Sequence, residues 1–508
     1  MRLYVPPYHT VLAMVFFALL AFGCGGGAGS PVAPSAPQAT PVAPKPNIVL
    51  IVADDLDVPT MEQLLKKRQP PTAQPLLDEL ANQGLSFMGF ATQALCSPSR
   101  ATILTGKYTH NHGVWDNVGP RGGYGAFMRN EADSLAPWLK AAGYRTVLVG
   151  KYMNDQRADS RPIPGWAERY VLLSGAGGNR YFDYFMDWNG DIRQFGFDPR
   201  LTDEQRQENY SVNVEVKLVV GSIKPKAVDP APFFIYFSVE APHRDALYAA
   251  KYGGEFRDAG MPDTPSFNRG DDNARFCWTP QSEPLSVGEV NGGHRLQQFR
   301  LRSMRAVEDG YQRIITALQD AGRLEDTYIV FVSDNGVHMG QRGLIAQKNN
   351  PFEPSINIPF IIRGPGVPVG KTDAMVATID LAPTILELAG VLIRDGSTGV
   401  LPIPEHIDGR SLVPFLKGQT PENWRNDLLI VNYDGDGPNG ALGGISLALR
   451  STEWLYSHGS DETKRLYHMR TDQYQMKNLY CEVDKALIAK FEERIATLLQ
   501  CRGATCRN

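Results

Sequence analysis

The chain has 508 residues, 43% of them apolar, enough to bury a large core and to predict a main domain with a smaller one attached. A disordered or fibrous protein is excluded. With 51 lysines and arginines against 55 aspartates and glutamates, the net charge of -4 provides no basic field for nucleic-acid phosphates, so any anionic ligand must be held by local groups.

Residues 1–24 read as an export signal: Arg2 gives a weakly basic start, residues 11–22 are apolar but too few to span a bilayer, and Gly23-Cys24 follow. The Cys after a small residue resembles a bacterial lipoprotein cleavage site, although Ala21-Phe22-Gly23-Cys24 departs from the usual Leu-small-small-Cys at two positions. The expectation is lipidation of Cys24, and with it a membrane anchor in the cell envelope, with an ordinary signal peptide and an incidental cysteine as the alternative. Residues 25–46 are rich in Gly, Pro, Ala and Ser and read as a flexible tether.

Asn47 opens a continuous β-branched run that stops at Asp54-Asp55, as a strand buried on both faces does. The pattern recurs at 146–149 before Gly150-Lys151, at 233–239 before Pro242-His243, at 328–332 before Asp334-Asn335, and at 358–362 before Arg363-Gly364-Pro365. Helical stretches lie between, clearest where Met304, Val307, Tyr311, Ile314 and Leu318 repeat at three- and four-residue spacing. The alternation predicts an α/β fold with a mostly parallel sheet flanked by helices, its ligand site outside the strands' carboxyl ends. All five polar clusters are expected there. After about residue 390 the texture turns to Pro- and Gly-rich loops and short apolar segments, which predicts a smaller antiparallel C-terminal domain closed by a helix over 484–499. The expected domains are therefore 47–395 and 396–508. Cys277, Cys481, Cys501 and Cys506 form an even set that an oxidising compartment could pair, against the alternative of free buried thiols.

Pro98 suits a first helical turn and puts Cys96 at a helix N-terminus, where free N–H groups favour an anion and should acidify a thiol. Taken alone, such a residue reads as a reactive or structural cysteine. Asp54-Asp55 suggests a cation bound through oxygen, although such pairs are more often solvated turns. Asp334-Asn335-Gly336 offers two further oxygen ligands or a plain Asx turn. A strand-end Lys151 is more commonly a surface lysine, and a strand-end His243 is more commonly bonded to backbone.

The whole segment Cys96-Ser97-Pro98-Ser99-Arg100, continued through Leu104-Thr105-Gly106, resembles the sulfatase signature, in which a maturation enzyme converts the cysteine to formylglycine. The resemblance implies that the hydrated aldehyde at position 96 attacks sulfur and that its second hydroxyl later expels sulfate. It implies that Arg100 holds the hydrate, and that Asp54, Asp55, Asp334 and Asn335 match one by one the calcium site, with magnesium as the alternative. Gly143 through Lys151 resembles the second sulfatase signature, with Lys151 touching nucleophile and sulfate. Met153 stands where the widespread form has a histidine. Gly150-Lys151-Tyr152-Met153-Asn154 instead resembles the variant in N-acetylglucosamine-6-sulfatases and heparan endosulfatases, with Asn154 a substrate or site-shaping contact. His243 corresponds to the histidine that protonates the leaving oxygen or binds the sulfate, Lys348 to the lysine that binds the sulfate and the leaving oxygen, and His338 is a weaker substrate-binding candidate. The segment 466–479 resembles the sulfatase C-terminal stretch, with His468 in place of a common Asp.

The resemblance covers residues 47–479 and implies the alkaline phosphatase superfamily fold, a sulfated carbohydrate or aryl sulfate substrate, and a formylglycine-generating maturation enzyme as partner. Two rivals stand beside it. A phosphate or phosphonate ester hydrolase would share the architecture, but not an intact Cys-x-Pro-Ser-Arg. An inactive protein that binds sulfated glycans would share the fold, but has no need of Cys96, Arg100, Lys151, His243 and Lys348 together.

Overall fold

The apolar run at the start of the chain folds as β1 (Asn47–Ala53), whose seven residues are all buried. The computed structural model describes residues 45–66, 80, 82–158, 161–174, 179–272, 283–391, 406–435 and 444–507. The export signal, Cys24, the tether up to residue 44, Cys277 and the boundary expected at 395 lie outside the described residues.

On either side of β1 lie β7 (Phe233–Ser238) and β8 (Thr327–Ser333), both parallel to it, and β3 (Arg145–Gly150) continues the parallel set beyond β7. Among the described residues these four form the centre of an eleven-stranded sheet. One flank adds β4 (Glu168–Leu172), parallel to β3, and then the antiparallel β5 (Tyr184–Trp188) and β6 (Asp191–Phe195). The other adds β12 (Phe360–Arg363) and β2 (Leu85–Phe90), with β11 (Asn357–Ile358) and β13 (Gly370–Ala377) along β2. The sheet is mixed and mostly parallel at its centre, as the alternation predicts; β9 (His338–Met339) and β10 (Ile345–Gln347) form a separate antiparallel pair, and helix α1 (Val58–Lys66) follows β1.

Side chains alternate between two cores, so that a buried strand must be apolar on both faces. Ile48, Leu50 and Val52 pack with Ile103 and Leu104 of helix α2 (Cys96–Thr105) and Leu381 and Ile385 of α5 (Leu381–Leu388). Val49 and Ile51 pack with Val216 of α3 (Ser211–Ser222) and Met304, Val307, Tyr311, Ile314 and Leu318 of α4 (Val287–Asp320). The stripe read from the sequence is thus the buried face of α4, which a Ser286–Glu289 capping box starts.

One expectation fails here. β12 runs antiparallel to β8, pairing Phe360 with Val332 and Arg363 with Ile329. Arg363-Gly364-Pro365 therefore leaves the sheet at the opposite edge from the other polar clusters. A short buried strand has the same apolar signature in either direction.

The C-terminal region forms a four-stranded antiparallel sheet of β14 (Asp427–Tyr433), β15 (Ile445–Ser451), β16 (Trp454–His458) and β17 (Lys464–His468). Helix α6 (Lys485–Gln500), capped by Asp484, packs Phe491 and Ile495 into its core, which also takes in Phe90, Tyr108 and Phe352. Cys501 is disulfide-bonded to Cys506, and Cys481 is disulfide-bonded as well. Among the described residues no helix is long and apolar enough to cross a membrane.

Candidate active site

Because β8, β1, β7 and β3 are neighbours and parallel, their carboxyl ends bring Asp334 and Asn335, Asp54 and Asp55, the 240–243 turn and Lys151 to one edge. The turns are specialised. Gly150 has φ 94°, and a Cβ there would lie 2.0 Å from the Ser238 carbonyl oxygen, the same oxygen that accepts the Lys151 N–H at 2.7 Å. Asp55 holds φ 62°, a left-handed conformation that aspartate tolerates better than most residues. The Ala241–Pro242 bond is cis.

Cys96 opens α2, whose ten residues are all buried and which ends on Gly106 at φ 67°. Its Sγ lies 3.4 Å from Asp54 Oδ1 and 2.8 Å from Lys348 Nζ. Among the described residues it is the one free cysteine. The expected acidification does not occur: burial first and Asp54 second push the thiol up to about 12, against Lys151 and Lys348. A helix N-terminus lowers a thiol only where solvent or net positive charge favours the thiolate.

Two lysines and an arginine face the acids. Lys348 Nζ bonds Asp55 Oδ1, and Lys151 Nζ bonds Asp54 Oδ2 and lies 3.7 Å from Glu240. Arg100, fully buried, places Nε 3.0 Å from Asp334 Oδ2 and its terminal nitrogens on the Lys151 carbonyl, Ser238 Oγ and Asp54. Burial would raise Asp54, but Lys151, His243, Arg100 and Lys348 hold it well below the usual carboxylate range. Burial and the neighbouring Asp54 instead raise Asp334 to about 6.

An oxygen-ligated cation fits this set. Carboxylate oxygens of Asp54, Asp55 and Asp334 lie within 4.8 Å of one another, and Asn335 Oδ1 is buried without a hydrogen-bond partner while its Nδ2 donates to Asp55 at 2.6 Å. Four hard oxygen donors suit calcium or magnesium.

His243 is brought to the same place, since one atom each of Asp54, Cys96 and His243 also fall within 4.8 Å. Its Nε2 lies 3.7 Å from Asp55 and its Nδ1 3.5 Å from Glu240. Asn154 accepts from Ser97 Oγ at 3.1 Å, fixing it beside the residue after Cys96. His338 stands apart: both ring nitrogens are engaged, with the Gln341 carbonyl at 3.0 Å and Asn350 Oδ1 at 3.1 Å, and burial lowers it to about 4.

Several site residues escape sequence reasoning. Glu240 is buried between Lys151, His243 and Arg180, whose Nη1 is 2.9 Å from Glu240 Oε1. Asn117 Oδ1 accepts the Ser97 N–H at 2.8 Å at the start of α2. Arg300 of α4 donates to the Asp55 carbonyl at 2.7 Å, the Pro242 carbonyl at 3.2 Å and Asp57 Oδ2 at 2.7 Å, tying two strand-end turns together. The first carries a signal, an acid at the end of an apolar strand. So does the last, an arginine in the apolar stripe of a helix. Asn117 has none.

The family model described as Sulfatase matches residues 46–391, and the model described as N-sulphoglucosamine sulphohydrolase, C-terminal, matches residues 340–500. The chain is 29% identical over 506 residues to the N-acetylglucosamine-6-sulfatase of Capra hircus, covering 91% of this chain and 85% of the relative. Among solved structures, BT4656 in complex with its substrate D-glucosamine-2-N,6-O-disulfate superposes with a TM-score of 0.68 at 22% identity, covering 90% of this chain and 97% of the other. The phosphonate monoester hydrolase of Agrobacterium radiobacter has the same fold, with a TM-score of 0.65 at 20% identity over 89% of this chain and 95% of that one.

Proposed function

Given that the chain belongs to the sulfatase family, we propose that this sulfatase removes the 6-sulfate of glucosamine units in sulfated glycans, using a formylglycine made from Cys96 and a calcium ion held by Asp54, Asp55, Asp334 and Asn335. The observation that carries the reading is the position of Cys96. It lies buried at a helix N-terminus, 2.8 Å from Lys348 and beside the carboxylate cluster. Burial and Asp54 push the unmodified thiol up to about 12, and the intact run Cys96-Ser97-Pro98-Ser99-Arg100 supports a modified residue at this position. When bound, the cation would polarise a sulfate oxygen, and the aldehyde hydrate would supply the attacking oxygen.

The chain's own residues do the rest. Lys348 and Lys151 flank Cys96 from opposite carboxylates, so two ammonium groups meet the negative charge that develops on the sulfate oxygens. Arg100 neutralises Asp54 and Asp334, which keeps the ligands ionised and close. His243, held by Glu240 and facing Asp55, donates a proton to the leaving oxygen through Nε2. Asn154 shapes the substrate side through Ser97, and His338 fixes Asn350 two residues after Lys348. The run Gly150-Lys151-Tyr152-Met153-Asn154 and the relatives' printed names support glucosamine 6-sulfate as substrate. The Cys501–Cys506 bridge supports an oxidising compartment, reached by export with Cys24 as the lipid anchor.

The test is turnover of N-acetylglucosamine-6-sulfate, 4-nitrophenyl sulfate and 4-nitrophenyl phosphate, beside the mass of the tryptic peptide containing position 96. The reading expects sulfate release from the first two and an aldehyde at position 96. A preparation that is active with an unmodified thiol, or that prefers the phosphate ester, sinks it.

A further inference from the structure

The segment that carries Lys348 is tied to the C-terminal sheet. Asn349, the next residue in the chain, lies in the left-handed region at φ 63°, which asparagine tolerates better than most residues. Its N–H donates at 2.9 Å to the carbonyl of Ala94, two residues before Cys96, and its side-chain Nδ2 donates at 2.7 Å to the carbonyl of Tyr433 in β14. A carbonyl can only accept, so the end of the amide that meets β14 is its nitrogen.

Among the described residues β14 is an outer strand of the four-stranded sheet, and one of its edges has no strand partner. Alternate residues of a strand aim their N–H and C=O groups toward the same side. Val431 and Tyr433 are two apart, and both use the open edge to hold segments of the active site. The Val431 N–H donates to the Thr92 carbonyl at 2.9 Å, and the Tyr433 carbonyl takes the Asn349 amide. One strand therefore grips the run that leads into Cys96 and the run that leaves Lys348, and the bond from Asn349 to Ala94 joins the two runs directly.

This bracing matters because a lysine ammonium is a point charge on a flexible stem. Asp55 holds the far end of the Lys348 side chain, and the backbone that Asn349 fixes holds the near end. With both ends fixed, Nζ stays 2.8 Å from the Cys96 sulfur.

We propose that Asn349 is a positioning residue for the reaction, and that the open edge of β14 is the template against which it sets the separation of Lys348 from position 96. The inference rests on the reading of Lys348 as a cation that meets the charge developing on sulfate. It gives the C-terminal sheet a part in catalysis, exerted through two backbone groups.

Asn349→Gly keeps the left-handed turn without steric cost and deletes only the amide side chain. In the full chain acting on 4-nitrophenyl sulfate, kcat should fall about tenfold or more with a smaller change in KM, since a misplacement of about 1 Å can cost about a hundredfold. Circular dichroism should match that of the parent. Asn349→Asp, which keeps the shape and replaces the donor by an acceptor, should lose at least as much. The double variant Lys348→Met/Asn349→Gly separates positioning from a general structural contact. A residue that acts through Lys348 adds nothing once that ammonium is gone, so the double variant should match Lys348→Met alone. Full kcat in Asn349→Gly, or losses that multiply in the double variant, overturns the proposal and leaves Lys348 in its role. A full rate in Lys348→Met overturns that role, and the proposal with it.

Discussion

The ammonium of Lys348 bridges the sulfur of Cys96, at 2.8 Å, and Oδ1 of Asp55. Burial opposes its charge, but Asp55, Cys96, Asp54 and Asp334 hold its pKa well above the usual lysine value, so it is a fixed cation beside the nucleophile position. Lys348→Met should lower kcat/KM for an aryl sulfate by about a hundredfold or more, the scale of losing one preorganised charge at an oxyanion. Steady-state kinetics decides, and a loss confined to KM would remove Lys348 from the transition state.

Cys96→Ala should abolish turnover while leaving the fold intact, since it deletes only a sulfur from the end of a helix otherwise held by Ile103, Leu104 and their neighbours. Circular dichroism and thermal melting check the fold. Near-normal activity in this variant would end the formylglycine mechanism.

Asp334→Ala should lose bound metal and most activity, measured by elemental analysis of the purified chain and by turnover. Arg100→Met is predicted to act differently. It leaves Asp334 without its ion-pair partner in the interior, while Asp54 keeps Lys151, and breaking such a buried pair costs about 3–5 kcal/mol. Urea unfolding of chelator-treated protein should show that loss, which a purely catalytic role for Arg100 would not produce.

Glu240→Gln should cut kcat about tenfold or more with a smaller effect on KM, because Glu240 touches Lys151 and His243 rather than substrate. The pH profile is the decisive readout. A positioning role through His243 predicts a displaced profile, and an unchanged one would reduce Glu240 to a structural anchor for Arg180.

His112 gives a pH prediction for stability. Its Nδ1 accepts the Val114 N–H at 3.0 Å, so Nε2 carries the proton toward Thr102 Oγ1 at 3.1 Å, and burial lowers its pKa to about 3. The unfolded chain, titrating at about 6.5, binds more protons between these values, so stability falls as pH drops from about 6.5 toward 3. In His112→Asn the urea midpoint should start lower at neutral pH and depend less on pH across that window. Parallel curves for the two proteins would show that His112 does not drive the acid limb.

The central strands and their polar ends were legible because a parallel strand buried on both faces must be apolar throughout and must stop where it meets the site. Asp54-Asp55, Lys151, His243 and Asp334-Asn335 all lie where that rule puts them. The C-terminal helix was legible to within a residue at each end. The direction of β12 was not, because apolarity carries no polarity of chain direction. The state of the Cys96 thiol was not either: burial in the folded interior, and then Asp54, 42 residues away in sequence, push it up. Asn117 is visible only in three dimensions, as a cap for a helix N–H that its own side chains leave free.

Cys96 and all the residues of α2 after it are buried, packed between the sheet and α5. An enzyme that altered the side chain at position 96 would have to grip the residues that follow it, and Cys96–Thr105 are all buried once the chain has folded. The proposed conversion of Cys96 would therefore be an event of synthesis rather than of repair, with a window that opens as the segment emerges and shuts when α2 docks. On that reading, a chain that folds unmodified would miss the window for good unless it unfolded again.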